Sequence, residues 1–220
     1  MFSHTLPAGT APGTLPPEEM GAGVDYRRLL GDEAWQRLPR AVRRRFSHEC
    51  SREVTYVGRM ERVVLNPAGR VLAAACRWVG EPLVAAEGTG VPAHVRVFTE
   101  RRGGTVWERA YHFRGRPTRT VRSAKRLDRN GVLVECLGFG MHMALRVREV
   151  RGELHFESRG YYWQAFGLRV PLPRRWFPGE TLVVHRDEGA GRFRFLLSIR
   201  HPLFGEMVHQ DGVFQQQEEA

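Results

Sequence analysis

From Val132 to Val150 the chain alternates, with Leu133, Glu135, Leu137, Phe139, Met141, Met143, Leu145 and Val147 at every second position. Side chains of an extended strand point to opposite faces with a period of two, so this pattern reads as a half-buried strand rather than a helix. The register that buries the seven apolar members carries Glu135 into the same interior. A lone ionised carboxylate is costly there, so Glu135 is expected either to take up a proton or to keep a cationic partner.

The rest of the second half repeats the strand signal. Segments 94–101, 105–113, 118–127, 132–149, 153–170, 181–187, 192–200 and 204–214 read as strands, separated by short turns such as Gly103-Gly104, Arg129-Asn130-Gly131 and Arg151-Gly152. Turns this short join antiparallel neighbours and cannot serve a parallel sheet. Val54–Leu65 is a further strand, and Asn66-Pro67 after it fits the cap and first position of a helix running to Val79, with Gly80 as its stop. Val71, Leu72, Ala75 and Trp78 are its expected apolar stripe. Upstream, Leu29, Leu30, Trp35, Leu38, Val42 and Phe46 recur at near-helical spacing interrupted by Gly31-Asp32 and Pro39, which predicts two or three short helices against a sheet or closing one end of a barrel. The expected fold is mainly β (α+β): an antiparallel meander curled into a barrel or half-barrel, with short N-terminal helices and one helix after the first strand. Residues 1–23, rich in Pro and small residues, form a tail, and 24–220 a single domain, which 220 residues suit.

Charge sharpens the functional reading by exclusion. The net charge of +10 raises the question of nucleic acid, but Lys125 is the only lysine and Ile199 the only isoleucine, the mark of a GC-rich coding bias. Beyond Arg43-Arg44-Arg45 the arginines are interleaved with acids and apolar residues, so solvated faces are expected and no nucleic-acid partner. Cys50, Cys76 and Cys136 lack metal or redox spacing and read as reduced thiols. His185, His201 and His209 lack tight spacing with carboxylates, so no metal is expected. The start of the chain has neither the basic run nor the apolar block of a secretory signal, and the apolar stretches fall short of a bilayer span. A cytoplasmic protein without membrane insertion is expected.

Several phrases, in order, resemble a bacterial domain-of-unknown-function family, numbered four-one-six-six. They are Leu38-Pro39 with Arg45-Phe46-Ser47; Tyr56-Val57-Gly58-Arg59-Met60; Trp107-Glu108-Arg109; Glu135 with Gly138-Phe139-Gly140-Met141; Gly160-Tyr161; Pro178-Gly179; and His201-Pro202-Leu203-Phe204-Gly205 with Gln210-Asp211-Gly212-Val213-Phe214. The resemblance spans nearly all of residues 36–214. Such domains often follow a saccharopine-dehydrogenase-like NAD(P)-binding domain, which implies a partner oxidoreductase by association. No Gly-rich nucleotide fingerprint follows a strand in this chain, so no NAD(P) or other cofactor is expected in it.

The candidate chemistry centres on Glu135 and Arg109. Trp107, Arg109, Tyr111 and Phe113 share one strand face, so a guanidinium projects from an aromatic wall toward the same interior as Glu135. Together they make either a structural ion pair or a pocket acid, exchanging a proton with a bound polyene, enone or ketone while Arg109 steadies an enolate oxygen. The candidate substrate-binding wall comprises Trp107, Tyr111, Phe139, Met141 and Met143, with Tyr162 and Gln164 from the next strand and His201 at a bend on the rim. His142 and Cys136 fall on the opposite face from Glu135. Both a filled core and a ligand cavity fit this inward face. The expected function is therefore a barrel that binds a hydrophobic small molecule, as a cofactor-independent cyclase or isomerase of a lipid-like or polyketide-like substrate, or alternatively as a noncatalytic carrier or accessory domain.

Overall fold

The computed structural model describes residues 23–47, 53–80, 82–100, 103–173 and 179–217. The expected tail, but for Gly23, lies outside the described residues, as do Cys50 and Pro178. Among the described residues eleven strands pair antiparallel in one sheet: β1 Val54–Leu65, β2 Gly88–Thr99, β3 Thr105–Tyr111, β4 Arg119–Leu127, β5 Leu133–Gly138, β6 Met141–Val150, β7 Glu153–Ala165, β8 Leu168–Leu172, β9 Glu180–Gly189, β10 Arg192–His201 and β11 Gly205–Gln216. β1 pairs with both β2 and β11, and β6 pairs with β7, so the sheet closes on itself as a barrel. Only β8 stands off the ring. It pairs with the second half of β7, at Tyr161–Ala165, while β9 pairs with the first half, at Leu154–Glu157. β7 is thus forked. Closure leaves the ring without a free edge, which is how a long meander avoids pairing with other chains.

Two expected strands prove to be hairpins. The 132–149 segment turns at Phe139-Gly140, where Gly138, Phe139 and Gly140 all take positive φ (115°, 43° and 78°). The alternation survives because opposed residues of an antiparallel pair share a face: Glu135 stands opposite Met143, so odd-numbered positions point inward on both strands. The 153–170 segment turns at Phe166-Gly167, again with positive φ. Within β7 the pairing passes from Ala144 opposite Gly160 to Leu145 opposite Ser158, leaving Arg159 as an extra residue. That one-residue bulge exchanges the faces beyond it.

At one end of the barrel, α1 (Tyr26–Leu30), α2 (Asp32–Arg37) and α3 (Arg40–Phe46) form a plug, as one of the two expected placements had it. Asp25 caps α1, accepting from the Arg28 amide at 3.0 Å. Tyr26, Trp35, Leu38, Val42 and Phe46 are buried in the main core. Phe46 reaches in far enough to pack on His185 (4.9 Å between centroids) and Trp107 (5.8 Å), and Tyr26 on Phe156 (5.7 Å). Edge-on and offset contacts of this kind add to the area they bury.

The other end is covered by α4 (Pro67–Cys76), which continues as a 3-10 turn over Arg77–Val79. Asn66 fixes its start, accepting from the Gly69 amide at 2.8 Å and donating through Nδ2 to the Phe204 carbonyl at 2.8 Å. Gly69 lies so close to the Met207 carbonyl that a Cβ would overlap it, so glycine is what lets the helix approach β11. Its inward stripe differs from the expected one. Gly69, Leu72, Ala73 and Cys76 face a smaller core of Leu65, Leu83, Ile199, Met207 and Val208, whereas Val71 and Trp78 face solvent.

Candidate functional site

Between plug and α4 the barrel holds a cavity of about 90 Å³. Leu72, Cys76, Pro82, Leu83 and Val84 roof it from α4 and the following loop, and Leu137, Met141, Met143, Val183, Phe195 and Ile199 line its sides. Its walls are apolar. Polar groups gather toward the floor and one flank: Arg109, Tyr111, Glu135, Tyr161, Thr181 and Gln210. This is the usual composition of a small-molecule pocket, apolar area with a few placed polar groups.

Glu135 faces inward as its parity requires and is buried at 5 % exposure. Its direct partner, however, is Lys125, whose Nζ lies 3.3 Å from Oε1, and not Arg109. The two are cross-strand neighbours, Lys125 on β4 opposite Glu135 on β5. Lys125, at 3 % exposure, lies deeper than the cavity wall, its ammonium 5.3 Å from the Phe156 ring centroid and 5.7 Å from that of Trp107. Burial opposes ionisation of Glu135, but Lys125 and Arg109 outweigh it and hold the carboxyl below its usual range. The Lys125 ammonium is pushed down by burial, and by Arg109, against the pull of Glu135.

Arg109 points into the cavity from β3, its guanidinium 5.5 Å from the Phe195 ring centroid. No carboxylate among the described residues makes an ion pair with it. Lys125, Arg109 and Glu135 together leave one positive charge in excess at the cavity floor. Deeper still, His185 is kept neutral, its basicity lowered first by burial and then by Arg45, Lys125 and Arg109. Arg45 lies 3.6 Å over the Phe193 ring, and burial draws its guanidinium down to about 10.

The phenols of Tyr111 and Tyr161 remain protonated. Burial raises both, Tyr161 to about 12, and they bond to Gln210 Oε1 (3.2 Å) and the Thr181 hydroxyl (2.7 Å). Cys76 faces the cavity as a thiol, since burial pushes it up to about 11 and removes the thiolate that a nucleophile needs.

Of the residues expected at the site, Glu135, Arg109, Tyr111, Met141 and Met143 meet at the cavity. Trp107 lies below it, among Met60, His185, Phe193 and Phe214. Phe139 sits at the tip of the β5–β6 turn, in solvent, because the strand reverses there. Tyr162 and Gln164 fall on the outer side because of the Arg159 bulge, which brings Tyr161 inward in their place. Tyr162 stacks on His142 (5.1 Å) beneath the Arg169 guanidinium (3.7 Å). His201 is a buried bend residue: Nδ1 accepts from the Leu203 amide at 3.1 Å and the ring stacks on Phe204. Sequence reasoning passed over Lys125, although a single lysine in a chain that uses arginine everywhere else is itself a signal for a position needing a compact cation.

Among the described residues no group of three His, Cys, Asp or Glu side chains could hold a metal ion, and no helix is long and apolar enough to cross a membrane. A family model described as Domain of unknown function (DUF4166) matches residues 38–214. No curated protein and no solved structure matches the chain.

Proposed function

The chain belongs to the DUF4166 family, and on that footing we propose that it is a barrel that binds a hydrophobic small molecule, whose guest lies under α4 and sets an anionic oxygen against Arg109. The observation that carries this is the cavity itself, apolar along its walls and with one uncompensated positive charge at its floor. A half-buried guanidinium without an ion-pair partner of its own is unfavourable, and a carboxylate or enolate-like oxygen on a lipid-like or polyketide-like molecule would neutralise it. Tyr111 and Tyr161 add polar edges to the wall, their hydroxyls held by Gln210 and Thr181. Leu72, Val183 and Phe195 take the apolar body.

The charge state of Glu135 supports a carrier or accessory role over proton exchange. A carboxyl held ionised by Lys125 is a poor acid, and with its basicity lowered it is a poor base as well. Glu135 reads best as the group that holds Lys125 in place. The catalytic form, a cofactor-independent cyclase or isomerase, draws support from Arg109, which is placed to stabilise charge developing on an enolate oxygen in an enclosed site. A partner oxidoreductase would give the carrier form its purpose.

Native mass spectrometry of freshly purified protein should reveal a co-purifying apolar guest, and calorimetry with decanoate and decanol tests the anchor. Arg109→Met is expected to weaken decanoate about tenfold or more while leaving decanol unchanged. Equal loss of both ligands would remove the anionic anchor, and failure of wild type to bind either would remove the proposed function. Turnover of a bound guest by wild type, abolished in Arg109→Met with binding kept, would instead establish the catalytic form.

A further inference from the structure

The large apolar side chains left in solvent gather at one end of the barrel. Trp78 follows α4 (86 % exposed), Phe139 tips the β5–β6 turn (77 %), Phe166 the β7–β8 turn (100 %) and Leu203 the β10–β11 turn (81 %). Each of these pieces of chain lies at the α4 end. At the plug end the exposed large apolar residues are Leu127 and Val132 alone, among the described residues. Phe139 and Phe166 stand at positive φ, 43° and 51°, a backbone position that suits glycine and gives no local reason for phenylalanine. Large apolar side chains gathered in solvent at one end mark a place where something docks.

The charge at the same end narrows what that is. Arg114, Arg116 and Arg119, on the β3–β4 turn and the start of β4, are exposed and make no ion pair among the described residues. We infer that the α4 end is a membrane-docking face, which seats on an anionic lipid surface by burying Trp78, Phe139, Phe166 and Leu203 between headgroups while these arginines meet the lipid phosphates. A bilayer fits better than a protein because the four apolar residues stand on four separate pieces of chain. A fluid interface receives such side chains independently, whereas a protein partner would need one matching surface for all of them. Docking of this kind lies on the membrane and spans nothing. The cavity lies under α4, at the same end as these residues, so an apolar guest would pass between lipid and barrel without crossing water. The inference rests on exposure and charge and stands apart from the guest's identity.

Flotation of the full chain with vesicles of phosphatidylcholine and phosphatidylglycerol, mixed three to one, tests it against vesicles of phosphatidylcholine alone. Wild type is expected to float with the mixed vesicles and far less with the neutral ones. Phe139→Ser with Phe166→Ser, and independently Trp78→Ser with Leu203→Ser, should each weaken binding roughly tenfold or more, since each removes two buried apolar side chains. Leu127→Ser with Val132→Ser should leave it unchanged. The inference is overturned if the tip variants, folded by circular dichroism, float as well as wild type, because binding would then be the general attraction of a basic chain. It is equally overturned if wild type ignores both vesicles, or if it sediments as a dimer that the tip variants abolish, the tips then serving a second copy of the chain.

Discussion

The two ends of this barrel are closed by helices of opposite kind. The plug of α1–α3 drives aromatic rings between the strands until Phe46 touches His185 and Trp107, and its inner side chains are nearly all buried. The α4 cover rests on a small second core, meets β11 through a glycine and leaves Val71 and Trp78 outside. Aromatic area is buried at one end and exposed at the other: the plug end holds the barrel shut, and the α4 end covers the cavity with a lighter contact. Between them lies the Lys125–Glu135 pair, against the plug on one side and the cavity on the other.

That division fails most visibly if the middle layer is dispensable. Lys125→Met leaves Glu135 charged and unpaired in the interior and should cost about 3–5 kcal/mol of unfolding free energy in urea, whereas Lys125→Met with Glu135→Leu should recover most of it. A double variant no better than the single one would show that the pair does more than neutralise itself. The ends themselves are compared by two truncations. Phe46→Ala should cost about 3–5 kcal/mol, and Phe139→Ser at the opposite end no more than about half a kcal/mol. Similar losses for the two would erase the contrast.

The smallest expected effect is a slope. His185 is held neutral in the folded barrel and accepts a proton freely only when unfolded, near its ordinary value of about 6.5. Below that pH the unfolded chain binds more protons than the folded one, so stability is lost as pH falls, by at most about 1.4 kcal/mol per pH unit. His185→Phe, which keeps an aromatic ring in place, should flatten that part of the curve in urea titrations across the mildly acidic range. An unchanged slope would assign the acid sensitivity elsewhere.

Much of this architecture was legible in the chain. The strand period, the short turns, Asn66-Pro67 and the broken helical spacing before Phe46 led to an antiparallel barrel or half-barrel with helices at N-terminal and post-β1 positions, because burial of one face writes itself directly into the sequence. What escaped was register. Period-two patterning passes unbroken through a tight hairpin, so the reversal at Phe139 left no trace in it, while the single extra residue at Arg159 changed which of Tyr161 and Tyr162 faces inward. The partner of Glu135 was lost for the same reason. Arg109 shares its interior, but Lys125 stands across the ladder from it, and only the pairing of β4 with β5 about Asn130 shows this. Family membership over residues 38–214 places the chain among its relatives but contributes no chemistry of its own.

The fork in β7 gives the wall a property that its hydrogen-bond count alone would hide. Where β9 parts from β7, the Thr181 amide donates to the Ser158 hydroxyl at 2.8 Å in place of a main-chain carbonyl, and the Tyr161 hydroxyl closes the gap on the Thr181 side chain. A seam stitched by hydroxyls loosens at smaller cost than a run of ladder bonds, and water can replace each stitch in turn. That line is therefore where the girth of the vessel yields at least cost, and the room inside follows how far the seam gives as well as the space seen at rest.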